Sequence, residues 1–294
     1  MKPSDVAAVL LVILVWGLNF LVIKAGVTHV PPLLLGALRF LLAAFPALLF
    51  FKPPAVPLRL YLAYGLTISV GQFAFLFVAI HQGMPTGLAS LVLQSQALFT
   101  LLLATTLLKE RWHRHQLIGL GLALAGLVFI GTTRNSAMPL VGFVLTLMAA
   151  AMWAAGNIVS RKLAAHGPFN QLAFVIWASL VPPLPFLALS WYFEGGEAIQ
   201  AAIAGFDTSA ALSLLYLAWG ATLLGYGIWT RLLSHYPANQ VAPFSLLVPL
   251  VGLLAGWIVL DETLQTRQWL GAAILLAGLL VNVLGHRWRG PSSR

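Results

Sequence analysis

Long apolar runs, cut at short intervals by proline, glycine or charge, dominate the chain from end to end. Stretches of about 20 apolar residues match the hydrocarbon thickness of a bilayer. They predict helices over 6–23, 33–51, 59–80, 86–108, 115–132, 138–160, 169–193, 209–234, 238–260 and 267–286. The connections are short except 194–208, leaving no room for a soluble domain. In lipid each backbone polar group must be satisfied within the protein, so such runs are expected as helices. The predicted fold class is an all-α membrane protein of ten transmembrane helices.

The pattern is written twice. A shift of 152 positions lays Pro85 on Pro237, Glu110 on Glu262, Gly119 on Gly271 and Ala125-Gly126 on Ala277-Gly278. At a shift of 155, Tyr61-Leu62-Ala63-Tyr64-Gly65 falls on Tyr216-Leu217-Ala218-Trp219-Gly220, and Thr67 on Thr222. Near the start, Trp16, Asn19 and Lys24 echo Trp153, Asn157 and Lys162. The chain therefore divides into two five-helix repeats, 1–136 and 137–294. Five is odd, so the second copy must enter the membrane from the side opposite to the first. The repeats are expected to be inverted.

Composition agrees with a membrane bundle. Apolar residues make up 60% and charged residues 8%, against about 25% charged in a soluble domain. Nothing in the sequence suggests a cleaved leader, because apolar spans follow one another to residue 286. With the N-terminus inside, twelve basic residues lie on the inner side (Lys2, Lys52, Arg59, Lys109, Arg111, Arg114, Arg161, Lys162, Arg231, Arg287, Arg289, Arg294) and three on the outer (Lys24, Arg134, Arg267), with Arg39 inside a span. That bias predicts both termini in the cytoplasm. The net charge of +9 follows from this distribution. Basic residues spread over many loops make no nucleic-acid footprint. Without cysteine there is no disulfide, thiolate metal site or thiol nucleophile. No H-E-x-x-H, G-x-S-x-G or paired aspartate motif speaks for an enzyme, and no metal or cofactor is expected.

An inverted repeat in a membrane bundle is the architecture of alternating access, with the binding site near the midplane between the repeats. W-G-L-N-F-L-V-I-K at 16–24, K-E-R at 109–111 and the A-G-L near the end of each half resemble the EamA family of the drug/metabolite transporter superfamily. The resemblance covers the full length. Within the family, G-M-P-T-G-L-A-S-L-V-L-Q-S-Q at 83–96 resembles bacterial inner-membrane exporters of amino acids and related metabolites, the YddG-type aromatic amino-acid exporters and the cysteine and O-acetylserine exporters among them. What the resemblance implies is export of small molecules of that class through the inner membrane.

Several residues are candidates for the substrate path. Trp16 and Asn19, like Trp153 and Asn157, share a helix face. Amides suit the carboxylate and amine of an amino acid, and indoles offer a flat wall. Interhelical hydrogen bonding and packing are the competing roles. The fourth span is the most polar, with Ser90, Gln94, Ser95, Gln96 and Thr100. Gln94 and Gln96 lie about 200° apart on a regular helix, so both reach a cavity only if the helix is locally broken. Tyr64, Gln72 and His81 on the third span and Tyr226 on the eighth complete the set, with core packing or an interfacial position as the alternatives. Pro243, Pro249 and Gly252 mark the ninth span as a hinge, or as a static kink.

All seven acids lie in loops or at helix ends. Glu110 and Glu262 are expected to pair with Arg111, Arg114 or Arg267. A proton-driven carrier generally keeps a carboxylate or histidine on its path, so facilitated transport without obvious proton coupling is expected. The alternatives are a proton-coupled exporter of cationic drugs or other metabolites and, outside transporters, a channel or receptor. The expected partners are a small-molecule substrate and the lipid bilayer, with the protein acting as a monomer.

Overall fold

The computed structural model describes residues 1–109, 113–133, 138–236 and 238–285, with the side chains of 234, 238, 239, 242 and 243 left aside. Glu110, Arg111, Arg134, Pro237, Arg287, Arg289, Arg294 and the side chain of Pro243 therefore lie outside the described residues.

Among the described residues nine helices are long and apolar enough to cross a membrane. They are α1 (Pro3–His29), α2 (Pro32–Leu49), α3 (Leu58–His81), α4 (Thr86–Leu108), α5 (Arg114–Gly131), α6 (Leu140–Ala164), α7 (Gln171–Phe193), α8 (Thr208–Leu233) and α10 (Thr266–Leu284). The shorter apolar helix α9 (Phe244–Leu260) comes between the last two. A further helix, Gly196–Ala204, occupies the one long connection, where the sequence suggests only a loop. Prolines open α1 and α2, where a missing N–H costs nothing and the fixed φ suits a first turn.

The small-residue notches of the two repeats meet each other. A Cβ on Gly126 would lie 2.6 Å from Gly271 O, and one on Gly119 would lie 2.6 Å from Gly278 O. Residue numbers rise along α5 as they fall along α10, so this pair is antiparallel and packed backbone against backbone. Lipid supplies no hydrophobic drive between helices, so close approach through glycine is what gives such a pair its van der Waals contact.

α4 and α9 share three features in matching order. α4 tightens into a 3₁₀ turn at Leu93–Ser95, and a 3₁₀ stretch over Ala242–Leu247 leads into α9. Each resumes as a 13-residue α-helix, Gln96–Leu108 and Val248–Leu260. Each ends on a non-glycine residue in the left-handed region, Lys109 (φ 56°) and Asp261 (φ 51°). Prolines at 243 and 249 remove two backbone donors from the entry and first turns of α9, which accounts for the longer irregular stretch there.

Just past the left-handed turn the expected Glu262–Arg267 pairing does not occur. The Glu262 carboxylate accepts from the backbone N–H groups of Thr86 (2.6 Å) and Gly87 (2.9 Å) at the start of α4. The guanidinium of Arg267 instead lies 5.6 Å from the Phe129 ring. Glu194 does for α2 what Glu262 does for α4, accepting from Leu33 N–H (2.6 Å) and Leu34 N–H (3.1 Å) while Ser190 Oγ–H donates to it. The first N–H groups of a helix have no intrahelical acceptor and carry partial positive charge, so carboxylates settle there in preference to a solvated arginine. His29 faces Asp207 at 3.2 Å at the same end of the bundle. At the other end Asp5 joins α1 to Arg231 (3.0 Å) and Tyr236 (2.7 Å).

Candidate functional site

A small cavity lies among α2, α3, α7 and α8. α2 contributes Arg39 and Phe40; α3 contributes Tyr64, Ile68, Ser69 and Phe73; α7 contributes Val175 and Ser179; α8 contributes Thr222 and Tyr226. Three of these helices depart from α geometry beside it. α3 is π-helical over Gly65–Gly71 and α8 over Tyr216–Leu224, stretches that overlap under the 155-residue shift. α7 breaks between Ala178 and Pro183. A π turn loosens the backbone ladder and gathers at functional sites, and irregular backbone at membrane depth is tolerated where it is buried in protein or lines a cavity. The freed groups find partners. Thr222 Oγ–H donates to Leu217 O, five residues back, at 2.9 Å. The Trp16 indole donates to Ala221 O at 2.9 Å.

Arg39 is the unusual member. It is 2% exposed in the middle of an apolar helix. Nη2 donates to Thr222 Oγ1 at 3.2 Å. The guanidinium carbon stands 4.0 Å from the centroid of Phe73, with Phe40 and Phe77 farther off. Nε and Nη1 have no hydrogen-bond partner among the described residues. Bringing an arginine to the helix centre costs about 3 kcal/mol on insertion scales, and a desolvated cation–π contact returns roughly 2 kcal/mol. Ring faces thus offset part of the cost, and the three N–H donors on Nε and Nη1 remain unmatched among the described residues.

The sequence candidates divide between this cavity and the surrounding framework. Tyr64 and Tyr226 line it. Trp16 stands behind Tyr226, with ring centroids 5.5 Å apart, and also packs on Trp229 at 5.2 Å. Gln96 and Asn157 meet each other: Asn157 Nδ2 donates to Gln96 Oε1 at 2.7 Å and to Thr100 Oγ1 at 3.0 Å, tying α6 to α4. Ser90 donates to Gly87 O at 2.7 Å and reaches Pro249 O at 3.3 Å. Its hydroxyl occupies the space a side chain on Gly252 would need, so Ser90, Pro249 and Gly252 form one tight α4–α9 crossing. Gln72 and Gln94 are buried, as is Asn19, whose Oδ1 has no partner among the described residues. Trp153 packs half-buried between the two apolar cores. His81 is exposed at the end of α3, its Nδ1 3.3 Å from Val27 O. Arg39, Ser69, Phe73 and Ser179 were not among the sequence candidates. A lone arginine inside an apolar span is itself a signal of function. Among the described residues no three His, Asp or Glu side chains converge as metal ligands.

The amide cluster on α4 and α6 carries a prediction. Asn157→Ala breaks two interhelical hydrogen bonds and should lower stability by about 1 kcal/mol, the usual worth of such a contact in a membrane. Thermal unfolding in detergent measures it, and a variant as stable as wild type would mean that the cluster does not hold α6 to α4.

The EamA-like transporter family model matches residues 4–132 and again 140–284. The chain is 52% identical over 292 residues to the "Probable amino-acid metabolite efflux pump" of Salmonella typhimurium (strain LT2), covering 98% of each. It is 49% identical to the protein of the same name in Escherichia coli (strain K12), again over 98% of each. The "Uncharacterized inner membrane transporter YedA" of Escherichia coli (strain K12) is 25% identical over 92% of this chain and 88% of its own. A crystal structure of a protein 20% identical to this one superposes over 100% of both chains with a TM-score of 0.55, a likeness of fold alone.

Proposed function

The chain belongs to the EamA-like transporter family, and on that premise we propose that it exports amino acids and related small metabolites, aromatic ones included, across the bacterial inner membrane by alternating access. It is a membrane transporter and not an enzyme. The observation that carries the reading is the buried polar cavity bounded by one broken and two π-helical segments, irregular backbone where a membrane bundle needs a reason to have it. At about 10 Å³, it has room for roughly one water molecule. An amino acid fits only when the surrounding helices part, as a rocking cycle requires. Its ring-lined walls suit an aromatic cargo. The names of the two relatives that share about half of its residues support the substrate class, and the name of YedA supports the inner membrane.

On this reading the halves 1–136 and 137–294 are inverted repeats with both termini in the cytoplasm. The antiparallel α5–α10 crossing, the matched irregularities of α4 and α9 and the two family matches, one in each half, support it. The basic-residue bias then puts the Asp5–Arg231 end inside and the Glu194 and Glu262 end outside. The 3₁₀ stretch of α9 between Pro243 and Pro249, with Gly252 beyond, is the proposed hinge. Transport is proposed to run down the cargo's gradient without protons, because among the described residues no carboxylate or histidine lines the cavity.

The test is uptake of a radiolabelled amino-acid panel by proteoliposomes, with and without an imposed pH gradient. Saturable uptake that ignores the gradient is expected. Uptake only with a proton gradient would overturn the energetics, and none under either condition would overturn the substrate class.

A further inference from the structure

We propose that Arg39 is the docking point for the carboxylate of the transported molecule, so that the site selects monocarboxylates, zwitterionic amino acids among them, against their amides, esters and decarboxylated amines. The inference rests on the transport reading above and adds a recognition rule to it.

The donors are present and unmatched. Nε offers one N–H and Nη1 two, all without an acceptor among the described residues, at a position 2% exposed. No Asp or Glu comes within ion-pair distance of Arg39 among the described residues, and no second cation lines the cavity. One fixed positive charge calls for one negative charge, which favours a carboxylate over a phosphate ester. A carboxylate brings two oxygens and about four lone pairs, and a guanidinium edge, Nε or Nη1 together with the second Nη2 N–H that Thr222 does not use, meets it with two parallel, charge-assisted hydrogen bonds. Thr222, at 3.2 Å, and the ring of Phe73 hold the guanidinium in place, so little side-chain freedom is lost on binding. Tyr64, Ser69 and Tyr226 on the same walls carry hydroxyls, a group that can accept from an ammonium.

A purely packing role predicts different behaviour, because an arginine kept only for structure would leave ligand chemistry untouched. Two measurements separate the readings. In proteoliposomes, the free acid of a transported amino acid, its carboxamide, its methyl ester and its 2-hydroxy acid compete with the labelled amino acid. In detergent, the same compounds and chloride are scored by thermal stabilisation of the full chain. Wild type should prefer the free acid and the hydroxy acid over amide and ester by about tenfold or more, the scale of one lost charge-assisted pair. Arg39→Gln should bring acid and amide to parity, while Arg39→Lys should keep a weakened preference.

Equal competition by acid and amide in wild type overturns the proposal even if no variant folds. So does undiminished preference in Arg39→Gln, or equal stabilisation by chloride, which would mark a simple anion site. If no amino acid is transported but acids stabilise wild type and not Arg39→Gln, the transport reading falls and the carboxylate site stands.

Discussion

Gly126→Val is expected to prevent α5 and α10 from docking. The added Cβ would meet Gly271 O and Leu275 N, each at 2.6 Å, and both are backbone atoms of a facing helix with no rotamer to relieve the clash. Overpacking in a rigid interior costs up to about 3 kcal/mol. Here the helices must also separate along their length, and lipid gives no hydrophobic incentive to hold them together afterwards. The variant should yield little monodisperse protein after detergent extraction, and what survives should melt well below wild type. Gly121→Val is the matched control, since a side chain there meets nothing within 4 Å. If Gly126→Val and Gly121→Val melt alike, the crossing does not limit stability.

The second large effect is expected at Glu262. Glu262→Ala leaves the Thr86 and Gly87 N–H groups without an acceptor, and the nearby Thr86 Oγ1 already lacks one among the described residues. Hydrogen bonds to a charged group contribute about 1.5–3 kcal/mol each, and stranding a buried donor costs more than forming the bond gains. A loss of about 3 kcal/mol is expected for alanine, and roughly half that for glutamine, which keeps one acceptor but not the charge at the helix N-terminus. Amide hydrogen exchange at residues 86–89 should accelerate more than at the start of α2, where Glu194 remains. Unchanged exchange there in Glu262→Ala would refute the cap.

Much of this architecture could be read from the sequence, because bilayer thickness imposes a length and composition on each span that no nearby span blurs. The notches at Gly119, Gly126, Gly271 and Gly278 were legible for a related reason. Small residues in an otherwise large-residue helix mark where another backbone must approach, and their repetition at one offset marks them twice. The π turns of α3 and α8 were not legible. One extra residue in a helical turn leaves no compositional trace, although it fixes which side chains of Tyr64–Phe73 and Thr222–Tyr226 share a wall. The direction of Glu262 was missed because counting charges suggests an arginine, whereas a helix N-terminus is a partner formed by backbone alone. Gln94 and Gln96 are the intermediate case. Only a broken helix would let both face inward, and α4 does tighten at Leu93–Ser95. Gln96, however, spends an acceptor on Asn157.

A bacterial membrane stores its energy as an ion gradient, so a carrier that waits empty for cargo must not become a leak. At about 10 Å³, the cavity has room for roughly one water molecule, too little by itself for a file of water that relays protons. A fixed guanidinium in such a constriction also repels protons and metal cations, as a pore-lining arginine does in water-selective channels. On the transport reading proposed above, the group that awaits the cargo is also the one that keeps the idle state electrically tight.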